Sequence, residues 1–341
     1  MRLHAPPSGD ERGEPSENPD MNKSKVVLLC PGQGAQAVGM GKGWMDAHPA
    51  AAQTFAAADE VVDLGSIGSL TSVCFDGPTE TLNRTDVSQP ALFTAAVASY
   101  QGLLDGWGNA DVHATLGLSL GEYTALHLAG AFGFRDGLKL VATRGRLMQE
   151  AAEASDGGMV ALIGADETQA HAVCDAARGD DVLMPANFNA KGQIVISGSR
   201  TACERAVAAA GEMGLRATAL SVAGAFHSPL MAPAAEGMAK ALAEVDFQPL
   251  STVVYSNVTG KPHEPDNAEL LKQRLIEQLT TPVRWSSNCE DLAASISGIP
   301  EDERPRIHEL APGKVLKGLF RRIDKTVEVT SHDQPDPKPV S

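Results

Sequence analysis

His113-Ala-Thr-Leu-Gly-Leu-Ser-Leu-Gly-Glu-Tyr-Thr-Ala-Leu-His-Leu128 decides how the rest of the chain is read. Its first five residues read as a short buried strand and the residues from Glu122 onward as a helix. Gly117-Leu-Ser-Leu-Gly121 is therefore a Gly-x-Ser-x-Gly turn from strand to helix. Such a turn holds its serine on strained backbone, hydroxyl exposed, above a helix N-terminus, which makes Ser119 a candidate nucleophile. A glycine-rich turn with an idle serine has the same pentapeptide, so the surrounding residues have to separate the two.

Upstream, Val26 to Cys30 is an unbroken apolar, mostly β-favouring run closed by Pro31-Gly32, the pattern of a central strand buried on both faces. A helix is expected to start near Val87-Ser88-Gln89-Pro90, with Ser88 as cap and Pro90 in the first turn, and to run to Leu104. Downstream, helices are expected over Phe134–Ala154 and Ser228–Val245, and strands over Thr252–Ser256 and Arg306–Leu310. Strands alternating with helices imply a parallel sheet. Gly158 to Ala219 has a different rhythm, β-α-β-β-α-β, which is that of a ferredoxin-like unit. The expected fold class is α/β: a hydrolase-like parallel-sheet domain from residues 23–156 and 221–326, with a ferredoxin-like subdomain inserted at 157–220. Residues 1–22 and 327–341 are polar and Pro-rich and read as flexible tails, and Met21, just before the first strand, is a candidate internal start.

With 341 residues, 43% of them hydrophobic, the chain has ample material for a core. A formal charge of −15 argues against nucleic acid as a partner, and no apolar run is long enough to span a bilayer. Five scattered cysteines without a Cys-x-x-Cys pair fit reduced thiols in a cytoplasm, with no disulfide frame and no metal site.

A nucleophilic serine needs a base, and His227 in Gly224-Ala-Phe-His-Ser-Pro229 lies in a turn-prone link between a strand and a helix, where sites are built. His127 sits on the serine's own helix roughly 12 Å further along its axis, out of reach. His113 faces the wrong end of the strand. His4, His263 and His332 lie in polar or Pro-rich segments, and His48, His171 and His308 have no loop context. Pro31-Gly-Gln-Gly-Ala-Gln36 follows the first strand and should share the elbow's sheet edge. The Gln33 and Leu120 N–H groups would there form an oxyanion hole, each donor worth ~3 kcal/mol in a transition state. Arg144 lies in the helix beside apolar neighbours and, on the core face, needs an anionic partner; the pattern alone favours a structural ion pair, or an exposed Arg144 with Arg146 as the inward residue.

From Lys25 to about Ile323 the chain resembles the malonyl-CoA:acyl-carrier-protein transacylases of fatty acid synthesis and, more distantly, polyketide acyltransferase domains. The matching stretches are Pro31–Gln36 with Val38-Gly-Met40, Gly117–Leu126, Thr143–Glu150, Asn187–Gly198, Gln278–Trp285 and Pro312-Gly-Lys-Val-Leu316, in the family's order. The resemblance implies Ser119 as the acylated nucleophile, His227 as its base and Arg144 as the clamp on a malonyl carboxylate. It implies Gln33 and Leu120 as oxyanion donors, Gln278 as the residue whose backbone carbonyl orients the histidine, and Asn187 and Asn189 near the CoA entrance. Malonyl-CoA and acyl carrier protein are the implied partners, with no cofactor or metal; a monomer is expected, and Lys314, Lys317, Arg321 and Arg322 are candidates for the carrier's landing surface. Leu118 stands where relatives often have His, and Gly224 where malonyl-selective polyketide domains have His. The rival reading is a serine esterase or thioesterase with Asp175 or Asp181 as the acid.

Overall fold

The computed structural model describes Lys25 to Asp336, Asn109 excepted. The expected tail over 1–22, Met21 and residues 337–341 lie outside the described residues.

The first strand, β1 (Lys25–Cys30), shows how the layers arise. Val26, Leu28 and Cys30 point into one apolar cluster with Phe93, Tyr123 and Leu126, while Val27 and Leu29 point into another with Trp285, Ile307 and Phe320. Strand alternation sends successive side chains to opposite faces, and a strand with helices over both faces must be apolar at every position. β2 (Asp111–Gly117), β7 (Val253–Val254), β8 (Arg306–Glu309) and β9 (Val329–Ser331) complete a five-stranded sheet of order β7-β2-β1-β8-β9, parallel throughout. Cys30 pairs with Gly117 in register, so the loop after β1 and the turn after β2 leave the sheet at the same edge.

Between the helices Phe134–Glu153 and Ala232–Ala243 lies the second sheet: β3 (Gly157–Ile163), β4 (Leu183–Ala190), β5 (Gln193–Ser199) and β6 (Arg216–Ala219), antiparallel in the order β4-β5-β3-β6. Val160, Leu162, Ile194 and Ile196 pack on this sheet's own helices, Glu167–Arg178 and Arg200–Glu212. Met159 and Val195, one residue out of phase, face the other unit and join its core. The second sheet is stitched to the other unit through the loop before the helix Trp285–Ser297, where the Val283 N–H donates to the Ala186 carbonyl (2.8 Å) and the Phe188 N–H to the Val283 carbonyl (2.9 Å).

Four details differ from expectation. The helix expected to start at Ser88 runs Thr85–Trp107, so Ser88 is buried inside it and the cap position falls to Arg84, whose guanidinium grips Asp86 instead. Ser228–Val245 is a short turn, Pro229–Met231, followed by Ala232–Ala243, because Ser228 Oγ accepts from the Leu230 N–H and caps the turn. The strand expected over Thr252–Ser256 is in ladder with β2 only at Val253 and Val254, beyond which Tyr255 bridges Pro262 instead. Residues from 327 are not a loose tail up to 336: Val329–Ser331 form β9, and His332 is buried behind it.

Candidate active site

The elbow is as tight as its glycines require. A Cβ on Gly117 would lie 1.9 Å from the Gly121 carbonyl, and one on Gly121 2.1 Å from the Cys30 carbonyl oxygen. Ser119 sits at φ 53°, a left-handed conformation rare outside glycine, and so does His227 at φ 57°. They are the only non-glycine residues of positive φ among the described residues, and they meet: Ser119 Oγ lies 2.8 Å from His227 Nε2. Strain of this kind persists where the surroundings over-determine the conformation.

The surroundings do so here. His227 Nδ1 lies 2.7 Å from the backbone carbonyl oxygen of Gln278, an acceptor only, so Nδ1 carries the proton and Nε2 offers its lone pair to the serine hydroxyl. Burial, then the nearby Arg144 cation, push the His227 pKa down to about 4 against the opposing pull of the Gln278 carbonyl, so the imidazole is neutral around pH 7. Ser119 is held from behind by Asn257, whose Oδ1 accepts from the Ser119 N–H (2.6 Å) while its Nδ2 donates to the Gly117 carbonyl (2.7 Å).

Arg144 is the inward arginine, 1% exposed, whereas Arg146 lies at the surface paired with Glu150. The expected anionic partner is absent from its hydrogen bonds. Nη1 donates to Gln89 Oε1 (2.7 Å), and Nη2 to Gln278 Oε1 (2.8 Å) and Ser119 Oγ (3.0 Å). Nε is buried with no partner among the described residues. A buried cation satisfied only by neutral oxygens, next to a nucleophile, is a binding position for an anion.

Gln33 lies in a loop pressed against the elbow: a Cβ on the preceding Gly32 would fall 2.2 Å from the Leu118 carbonyl oxygen. Its side chain is pinned to Thr85 Oγ1 (3.3 Å). Among the described residues, neither the Gln33 nor the Leu120 backbone N–H has an acceptor. A cavity of about 390 Å³ opens over the serine, lined by Gln33, Ser119 and His227 from one unit and by Asn187, Asn189 and Val195 from the other. Leu118, Met148 and Phe226 supply apolar wall.

Asp175 and Asp181 are far from this chemistry, Asp175 paired with Arg178 and Asp181 with Arg205 and Thr201 at the surface of the second unit. Gly224 has a steric reason: a Cβ there would lie 2.5 Å from Ala152 Cβ. Sequence reasoning missed Asn257, Gln89, Glu122 and His263. The last two form a buried pair, Nε2 to Oε1, at 2.7 Å. His263 lies in Pro-rich surroundings, and its one signal, the glutamate that follows the elbow at the helix start, lies over a hundred residues away.

The chain matches the acyl transferase domain family over residues 27–299. It is 38% identical over 313 residues to the malonyl CoA-acyl carrier protein transacylase of Escherichia coli (strain K12), covering 92% of this chain and 97% of that protein. The crystal structure of the malonyl-CoA:acyl carrier protein transacylase from Xanthomonas oryzae is similar with a TM-score of 0.83 at 39% identity, covering 92% of this chain and 96% of that one. A malonyl-transacylase solved in complex with its type II PKS acyl-carrier protein is similar with a TM-score of 0.83 at 35% identity, over 92% of this chain and 96% of that one. The chain belongs to the acyltransferase family, among the malonyl-CoA:acyl-carrier-protein transacylases.

Proposed function

We propose that the protein transfers a malonyl group from malonyl-CoA to the phosphopantetheine thiol of an acyl carrier protein through a malonyl-serine ester. The observation that carries this reading is Arg144, a buried guanidinium with neutral partners 3.0 Å from Ser119 Oγ. A hydrolase of neutral esters has no use for a desolvated cation there, and His227 has a carbonyl where a hydrolase triad has its acid.

In the first half-reaction, His227 Nε2 takes the Ser119 proton as Oγ attacks the thioester carbonyl, and the N–H groups of Gln33 and Leu120 receive the developing oxyanion. The C–S bond breaks, His227 returns the proton to the departing CoA sulfur, and a malonyl-Ser119 ester remains. The carrier's thiol then repeats the sequence in reverse: His227 takes its proton, the sulfur attacks the ester, and Ser119 Oγ leaves reprotonated. In the acyl state the malonyl carboxylate takes over the Arg144 fork, which holds the ester carbonyl in one orientation and disfavours attack by water. Asn187 and Asn189 line the cavity on the side of the second sheet, where they would hold the pantetheine amides. No cofactor enters this scheme.

The arrangement supports the finer fold description: a hydrolase-like parallel-sheet unit carrying the elbow and a ferredoxin-like unit closing the cleft. For the carrier, Lys314, Arg321 and Arg322 border one surface depression together with Gln193, Lys317 lies on the same helix outside that lining, and among the described residues none of these four side chains pairs with a carboxylate. Gln193 opens the strand whose Val195 lines the cavity, so this basic face adjoins the cleft. The relatives favour fatty acid synthesis as the destination, and the PKS-associated neighbour keeps a polyketide pathway as the second reading. The free, buried cysteines fit a reducing cytoplasm.

Intact-mass measurement after mixing with malonyl-CoA or acetyl-CoA tests the reading. One malonyl group is expected on the wild type and none on Ser119→Ala; a wild type that hydrolyses malonyl-CoA without accumulating the adduct, or takes acetyl as readily, refutes it.

A further inference from the structure

Glu122 stands in the first turn of the helix Gly121–Leu128, with no exposed surface. A carboxylate taken out of water is costly unless donors surround it. Three do: His263 Nε2 lies 2.7 Å from Oε1, and Gln278 Nε2 (2.6 Å) and the Asn257 N–H (3.2 Å) donate to Oε2. Asn257 and His263 arrive together, because the Ser256 N–H donates to the Lys261 carbonyl (2.9 Å) and folds 256–263 into a turn that embraces the carboxylate.

Two of these donors also hold the reacting pair. Gln278 presents its carbonyl to His227 Nδ1, donates from Nε2 to the Ser119 carbonyl (3.0 Å) and accepts from Arg144. Asn257 fixes the Ser119 N–H and the Gly117 carbonyl. Glu122 is thus the point at which the support of the serine and that of the histidine meet, though it touches neither side chain. It also supplies negative charge near Arg144 without occupying the guanidinium.

We propose that Glu122, held by His263, is a positioning residue of the acyl transfer, acting through Gln278 and Asn257 to keep Ser119 and His227 in their strained, mutually bonded geometry. The inference rests on the acyl-serine reading above and adds to it a buried pair outside the cavity lining. The competing possibility is that the pair only stabilises the fold, as any satisfied buried pair near a helix start does.

The test compares wild type, Glu122→Ala, Glu122→Gln and His263→Ala by two readouts: the rate at which a neutral fluorophosphonate labels Ser119, and kcat and KM with malonyl-CoA. Labelling needs the activated serine but not the Arg144 clamp. Glu122→Ala is expected to lower labelling and kcat together by about 100-fold with KM within about twofold, the scale of a misplaced base. Glu122→Gln keeps an oxygen for Gln278 and Asn257 and turns its NH₂ toward His263, whose ring accepts in its other tautomer, so it should stay within about threefold of wild type. His263→Ala should lose about tenfold in both readouts. Folded Glu122→Ala or His263→Ala with wild-type labelling and kcat, or a change confined to KM, overturns the inference. If Glu122→Ala does not fold, His263→Ala decides by the same criteria. A wild type that labels with the fluorophosphonate but takes no malonyl group refutes the transfer reading and leaves the positioning test standing.

Discussion

His227 and His308 are both buried, at 4% and 8% exposure, and both have pKa values pushed down to about 4 with burial as the first cause. The second cause differs: the Arg144 cation for His227, and the neighbouring His332, followed by Arg306, for His308. Their partners differ more. His227 turns one nitrogen to a backbone carbonyl and the other to a hydroxyl, from a loop at the edge where the sheet's strands end. His308 is on strand β8, its Nδ1 2.8 Å from His332 Nε2 and its ring 4.6 Å from that of Trp107. A depressed pKa therefore does not mark a base in this molecule. What marks one is a lone pair aimed at a proton that has somewhere to go, and the imidazole pair has none.

The comparison breaks most severely if His227 is dispensable. His227→Ala should reduce the single-turnover rate of Ser119 malonylation by about 10⁴-fold or more, read by quenched-flow mass spectrometry. A loss of less than about tenfold would mean that proton transfer does not run through this imidazole.

Next in size is Arg144→Ala, expected to slow malonylation by about 100-fold while an uncharged acyl-CoA loses far less. It also sharpens the contrast between the two histidines. With Arg144 present, the base form of His227 persists down to about pH 4. Removing the cation leaves burial opposed by the Gln278 carbonyl, so the His227 value rises toward the ordinary 6.5 and the acid limb of kcat/KM moves to higher pH. An acid limb that stays in place or moves lower would show that Arg144 does not act on His227.

A smaller effect is expected from Gly224→Ala at the start of the His227 loop. The new methyl meets Ala152 at 2.5 Å (Cβ) and 2.9 Å (Cα), so the loop has to give way and the imidazole shifts with it. Malonylation should fall by about tenfold, the range that sub-ångström misplacement produces. Unchanged rates would show that the loop absorbs the displacement before it reaches His227.

These residues also mark how far the sequence could be read. The elbow, the central strand and the six-element second unit were legible because their signals are local: motif glycines that close approach demands, an apolar run, and period-two and helical alternation. Ser119, His227 and Arg144 were legible in part, with Arg144 and Arg146 inseparable by pattern until the helix face was known. Of the support behind them only Gln278 was legible, through the resemblance. Asn257 and His263 reach Glu122 across more than a hundred residues, and a polar residue in a loop has no periodicity to give it away. His332 was misread for a similar reason, since a three-residue strand at a sheet edge is too short to leave a pattern among Pro and charged neighbours.

The smallest effect on transfer is expected at the other histidine pair. His332→Ala should leave malonylation per folded molecule unchanged, because no bond of the site reaches β9. It should lower unfolding free energy near pH 7 by about 2 kcal/mol, for a buried ring removed from beside Trp107 and His308. The sign of the pH dependence follows from the depressed values of both imidazoles. The folded state holds fewer protons than the unfolded chain between the ordinary 6.5 and about 4, so wild-type stability is fully present above 6.5 and drains away as pH falls through that window. The variant retains only the His308 share of this loss, and a smaller one, since His332 no longer disfavours a proton on His308. The gap between wild type and variant should therefore narrow as pH is lowered from 7 to 5 in denaturant titrations. A gap that widens instead would mean that one imidazole of the pair is already protonated in the native protein. The contrast with His227 would then be one of charge rather than of where the lone pair points.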